Sequence, residues 1–194
     1  MSLNELVIKT RSFRRFHEDH PLSLETLERL VDTARLTASA SNLQPLRYAI
    51  STDPEMNARI FPCLAWAGYL KDWDGPVEGE RPTGYIIVLG DTQHAKTSAW
   101  DLGIAAQTIL LEATEMGLGG CMIGSIQKGD LSGVIRVPDG FEILLVIALG
   151  KPNEEVVLEE LSQDGDIRYW RDDEGVHHVP KRALASIVVG RHGG

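Results

Sequence analysis

Apolar residues recur along the chain with two different periods, and the period assigns the elements. Ser2 and Glu5 have the spacing of a capping box, and Leu3, Leu6 and Val7 around them predict a short helix to about Thr10. Ser23 can cap a second helix, in which Leu24, Leu27, Leu30, Val31 and Ala34 recur at three- and four-residue steps up to about Leu36. The longest helical signal runs from about His94 to Met116 through Leu102, Ala106, Ile109, Ala113 and Met116. Its other side, with Ile104, Ala105, Thr108 and Leu111, is also apolar, which predicts a helix at the centre of the molecule or in a subunit interface. Gly117 and Gly119 then stop it.

Shorter apolar runs read as strands: Tyr48 to Ile50, Tyr85 to Leu89 and Phe141 to Leu149, with Cys121 to Ile126 as a short strand or turn. Asp130 to Ile135 reads as a short helix, and Asp53 to about Ala67 carries a weak helical pattern. Residues 68–83, rich in Gly, Pro, Trp and charge, predict a long loop, of a length that marks either a cover over a functional site or a disordered segment. The run Ala185 to Val189 is strand-like and needs something to pair with. These strands are too few and too widely spaced for a doubly wound sheet, so the expected class is an α+β sandwich, in one domain of 194 residues.

Composition narrows the function. With 43% hydrophobic and 24% charged residues the chain has the balance of a globular protein. Acidic residues exceed basic ones by 28 − 19 = 9, which disfavours a nucleic-acid partner. The first residues lack the apolar core of a signal peptide, and no segment has the length of unbroken apolar sequence that a membrane span needs; a cytoplasmic protein with no membrane association is expected. Cys63 and Cys121 lie far apart without ligand spacing, so reduced, packed thiols are expected.

Three constellations could carry chemistry. Arg11-Ser12-Phe13-Arg14-Arg15-Phe16 places three guanidinium groups within five residues of an acidic protein, a density that suits an anion, since each guanidinium offers a planar fork to phosphate oxygens. In extended chain Ser12 and Arg14 share one side and Arg11 and Arg15 the other, so a single phosphate is reached only if the chain turns. A solvated basic face at a helix end explains this segment equally well. Ser39 to Pro45 combines small residues with Asn42 and Gln44, which donate and accept as a flat heterocycle requires; ordinary turn chemistry is the competing explanation, and the stronger one in isolation. Gly117 to Gly124 fails the dinucleotide fingerprint, because the sixth position is Met122 and the run follows a helix instead of opening one. It leaves a backbone stretch, Met122 to Gly124, able to lie along a ligand edge. The metal-like His17-Glu18-Asp19-His20 reads as a solvated turn, and His177-His178 as part of the outer surface of the tail. No His/Asp arrangement makes a nucleophile of Ser39 or Ser41.

Taken in order, these runs resemble the FMN-dependent nitroreductase family. The matching residues are Arg11, Ser12, Arg14 and Phe16; Ser39, Asn42, Gln44 and Pro45; Asp101, Gly103, Ala105 and Gln107 on the long helix; the Ala148 to Pro152 run; and the late basic pair Lys181-Arg182. The resemblance implies a three-layer sandwich with a central mixed β-sheet, and an intertwined homodimer in which residues 151–194 wrap the partner subunit. It implies FMN at the subunit interface. Arg11, Ser12 and Arg14 would hold its phosphate with Lys181 or Arg182, while Ser39, Asn42 and Gln44 line the ribityl chain or ring. Met122, Ile123 and Gly124 would border the other edge, where a backbone N–H addresses flavin N5, and Arg15 would face solvent. The implied chemistry is ping-pong transfer from NADH or NADPH to a nitroaromatic, quinone or similar flat acceptor, with no catalytic side chain. The alternative is an FMN-binding protein for storage, sensing or flavin breakdown. Trp66, Tyr69 and Trp73 either cover the ring or close the core. Thr10 and Leu46 depart from the family pattern, which often has arginine and an aromatic residue at those positions.

Overall fold

The computed structural model describes residues 1–162 and 165–193. Two helices, α1 (Leu3–Lys9) and α2 (Leu24–Arg35), precede strand β1 (Leu46–Ser51) and helix α3 (Pro54–Ile60). Strand β2 (Gly84–Asp91), helix α4 (Ala95–Glu115), strand β3 (Gly119–Ile123), helix α5 (Lys128–Ile135) and strand β4 (Phe141–Gly150) follow. The chain ends with β5 (Val156–Glu160), β6 (Trp170–Arg171), β7 (His177–Lys181) and the single turn α6 (Leu184–Ile187).

The central sheet has the order β1-β2-β4-β3. All its strands pair antiparallel, and the parallel contact of a mixed sheet is confined to one bridge, Ser12 to Gly120, at the β3 edge. Side-chain alternation along β2 and β4 feeds two cores. Ile86, Val88, Ile147 and Leu149 face α2 and α4, while Tyr85, Ile87, Leu89, Val146 and Ala148 face α3 and α5. Helices on both faces bury the sheet twice, and the result is a three-layer α+β sandwich. A bulge between Val88 and Leu89 pairs them with Leu145 and Ile143 and leaves Leu144 over. Gly90 accommodates the extra side chain, since a Cβ there would lie 2.6 Å from Leu144 Cδ1.

Two expectations are corrected. The weak helix after Asp53 ends at Ile60, because Pro62 tightens the next turn, Phe61 to Cys63, into a 3-10 helix. Residues 185–189 form no strand within the single chain: Leu184 to Ile187 make one exposed helical turn. The tail instead builds a second sheet, β5-β7-β6, with β5 parallel and β6 antiparallel to β7.

Candidate functional site

The basic segment is positioned by two phenylalanines. Phe13 packs on Gly119, where a Cβ would come within 2.5 Å of the ring, and fully buried Phe16 packs on Gly150, where the corresponding distance is 2.9 Å. Phe13 N–H donates to Gly120 O at 3.0 Å and also to Arg11 O at 3.0 Å. That second contact is the turn needed to bring Arg11 to the same side as Ser12 and Arg14. Thr10, where relatives often have arginine, is buried and its hydroxyl ties α1 to α4, donating to Leu6 O at 2.8 Å and meeting Thr114 Oγ1 at 3.0 Å.

Arg11, Ser12 and Arg14 line a cavity of about 320 Å³, together with Gln107, Met122 and Lys181. Arg11 donates one Nη to Val7 O at 2.5 Å, and its buried Nε has no partner. Burial without a counter-charge lowers its pKa. Arg14 stacks over Tyr169, 5.0 Å from the ring centre, and approaches His177 Nε2 at 3.4 Å. Burial, and then Arg14 and Arg171, push the His177 pKa down to about 4, so the imidazole is neutral at pH 7 and Nε2 accepts. His177 is 1% exposed, which corrects its expected place on the outer surface.

Carboxylates are kept from this cavity. Glu154 is committed elsewhere: it accepts from the backbone N–H groups of Arg14 and Arg15 and from Arg171 Nη2 at 2.9 Å. Arg15, Arg29, Arg35 and Arg171 each pair with a carboxylate. Among the described residues Arg11, Arg14 and Lys181 form no ion pair. Three cations without an ion pair on one cavity of a chain with net charge −9 have the charge and donor set that suits an anion. Arg15 is not solvent-facing as expected; its guanidinium forks onto both oxygens of Glu80 in the long loop. Arg182 lies beyond β7 and does not line the cavity.

A second cavity of about 220 Å³ adjoins the first, sharing Arg14, Met122 and Tyr169 with it and bounded by Trp66, Ile123 and Gly124. The Ile123 side chain is buried in the core, so it offers a ligand only backbone, and a Cβ on Gly124 would meet open space. Trp66 is a core residue packed on Phe61 at 5.6 Å. Tyr69 stands exposed against Tyr169 at 5.0 Å, and Trp73 lies under Arg171 at 4.8 Å, so the long loop is pinned to the tail.

Ser39 and Gln44 line a separate cavity of about 140 Å³ and do not meet the arginine cluster within one chain. The loop is organised by Asp101, 4% exposed on α4, which accepts from Ser39 Oγ and from Ala40 N–H at 3.0 Å. Ser39 Oγ in turn accepts from Gln44 N–H at 2.8 Å. Its hydroxyl is therefore engaged within the loop. Ser41, Asn42 and Gln44 all have left-handed backbone, at φ 51°, 55° and 49°, a concentration of strain that the Asp101 bonds hold in place. Asn42 and Gln44 are exposed.

Tyr169, His177 and Glu154 were not singled out from sequence as part of the site. The mixed aromatic and cationic run Arg168-Tyr169-Trp170-Arg171 was the available signal for Tyr169. Among the described residues no cluster of three or more His, Cys, Asp or Glu side chains is arranged to hold a metal, and no helix is long and apolar enough to cross a membrane.

The sequence pattern of the nitroreductase family matches residues 7–151. The chain is 26% identical over 157 residues to a protein of Archaeoglobus fulgidus assigned as an NADH dehydrogenase/NAD(P)H nitroreductase, a match covering 77% of this chain and 85% of that one. It is 26% identical over 163 residues to the FMN reductase (NADPH) of Bacillus subtilis, covering 76% of this chain and 65% of that one. The structure of an FMN-dependent nitroreductase from Clostridium difficile superposes with a TM-score of 0.63 at 22% identity, over 79% of this chain and 89% of that one. Fold, motif order and sequence pattern agree, and the chain belongs to the nitroreductase family.

Proposed function

We propose that this chain is an NAD(P)H-dependent FMN oxidoreductase that acts as a homodimer on a small flat acceptor such as a nitroaromatic or quinone. The observation that carries the reading is the set of three cations, Arg11, Arg14 and Lys181, left without carboxylates on one cavity beside the open backbone of Met122 to Gly124. A phosphate monoester dianion is the charge and shape they lack, and the Ser12 hydroxyl adds a further donor. The orphaned Arg11 Nε and the depressed Arg11 pKa fit an anion as the missing partner. The adjoining cavity has an apolar wall at Trp66 and Met122 and a free edge at Gly124, which suits a flat ring joined to that phosphate. Bound there, FMN supplies two-electron chemistry, alternately accepting from the nicotinamide donor and giving to the acceptor. The chain's own part is to neutralise the phosphate, orient the ring edge and exclude water; no side chain acts as acid or base.

The dimer is supported by α4, where Trp100 is 68% and Ile104 43% exposed on one face. Gln107, next on the same face, lines the anion cavity, so the apolar stripe runs into the site. In this reading residues 1–194 form one domain, the part of the 151–194 extension beyond β7 reaches around the partner, since β5 to β7 pack on their own chain, and the partner's Ser39 to Gln44 loop completes the ring pocket. Exposed Leu184, Ile187 and Val189 supply the apolar contacts of that arm. Cys63 and Cys121 are buried free thiols, which suits a reducing compartment such as the cytoplasm.

Anaerobic stopped-flow mixing of the FMN-loaded protein with NADH or NADPH tests the activity. Bleaching of the flavin by either donor, followed by reoxidation with a quinone or nitroaromatic, is expected. Bleaching by dithionite but by neither nicotinamide contradicts the oxidoreductase and favours storage or sensing.

A further inference from the structure

A groove of about 490 Å³ opens between the start of the long loop and the tail, lined by the aromatic residues Tyr69, Trp73, Tyr169 and Trp170 and by one carboxylate, Asp72, against three cations, Lys71, Arg168 and Arg171. The Trp170 indole lies flat on the His178 imidazole, with ring centres 4.9 Å apart and planes 3° from parallel. That imidazole is itself clamped, its Nδ1 2.7 Å from Glu159 and its Nε2 2.9 Å from Asp172. The plane of Trp170 is thus set before any ligand arrives, while the residue remains 45% exposed along the groove. Lys71 pairs with no carboxylate among the described residues. Tyr169 borders this groove and both cavities of the candidate site.

A fixed indole face beside an unpaired ammonium matches a heteroaromatic ring that carries phosphate, and such stacking tolerates any base. We propose that the groove holds the adenosine-phosphate half of the reduced nicotinamide dinucleotide, whose nicotinamide end reaches past Tyr169 to the open face of the flavin ring bound at Met122 to Gly124. This rests on the flavin-reductase reading. The continuity through Tyr169 favours the donor over the acceptor: the dinucleotide has two rings joined by a charged linker and can reach from the groove to the flavin, whereas a small quinone occupies only one end.

The test is anaerobic single-turnover reduction of the FMN-loaded protein by NADPH, NADH and reduced nicotinamide mononucleotide, which lacks the adenosine half. Trp170→Ala should raise the apparent Kd for both dinucleotides about tenfold, a stacking-sized loss, with the limiting reduction rate unchanged. The mononucleotide constants should not move, which also shows that the variant is folded, and Trp170→Phe should restore most of the dinucleotide affinity. Unchanged dinucleotide affinity, or an equal shift for the mononucleotide, overturns the subsite. A shift only in the KM of the quinone assigns the groove to the acceptor and overturns it as well. Quenching of indole fluorescence by 2′,5′-ADP, expected for the natural chain and weakened in Trp170→Ala, reads the groove without turnover; no quenching overturns the subsite even where the flavin bleaches. If no nicotinamide donor bleaches the flavin while the nucleotide still quenches, the oxidoreductase reading fails and the binding groove stands.

Discussion

Arg14 and Arg15 are neighbours with opposite surroundings. Arg15 is neutralised by Glu80, whereas Arg14 faces a cavity that holds neither a carboxylate nor a charged histidine. The same contrast separates Lys181 from Arg182, of which only the first lines the cavity. Lys181→Ala is therefore expected to weaken FMN binding by about ten- to a hundredfold, the worth of a charge-assisted hydrogen bond, while Arg182→Ala leaves it within about twofold. Fluorescence titration of the apoprotein with FMN measures both, and equal losses contradict the assignment. The basic cluster was legible because arginine density in an acidic chain is unusual in itself. The distinction among its members was not, since it depends on which carboxylates the long loop and the tail bring near.

At the scale of elements, local signals were read well where chemistry within a few residues decides the outcome. The capping box at Ser2 and Glu5 forms as expected, with bonds of 2.7 and 3.3 Å, and α2 keeps its predicted limits to within a residue. The tail is not legible in the sequence because its structure is not local. Strand β7 contains Pro180 and two histidines, has no apolar alternation, and exists through its neighbours β5 and β6. His178 stitches these strands together, and hydrogen bonds to Asp172 and then Glu159 raise its pKa above 6.5. A group whose folded pKa is raised adds stability that is complete below its unfolded value and fades as pH climbs through the folded one. The thermal midpoint of the natural chain, compared with His178→Gln, should therefore keep its full advantage below about pH 6.5 and lose it as the pH rises above that value. An advantage that grows with pH contradicts the clamp.

For the whole molecule, the order of the motifs along the chain pointed to the family, but not to the separation of the two segments proposed to face the ligand. The loop from Ser39 to Gln44 and the arginine cluster occupy different cavities of one chain. In the proposed dimer the exposed face of α4 at Trp100 and Ile104 would join them across the two subunits; of these, Ile104 belongs to the second apolar side that the sequence shows on this helix. Trp100→Glu places a charge in that face and is expected to yield a folded monomer that releases FMN, as read by analytical ultracentrifugation at the protein and flavin wavelengths together. A monomer that keeps its flavin contradicts a site completed by the partner.

The claim on which the rest depends is that Arg11, Arg14 and Lys181 bind the phosphate of the cofactor. Titration of the apoprotein with FMN and with riboflavin, which differ only in that group, tests it most directly. The account predicts FMN tighter by about a hundredfold or more, from two or more charge-assisted bonds, with the gap closing in an Arg11→Ala/Arg14→Ala/Lys181→Ala variant. Equal affinity for the two flavins would contradict it.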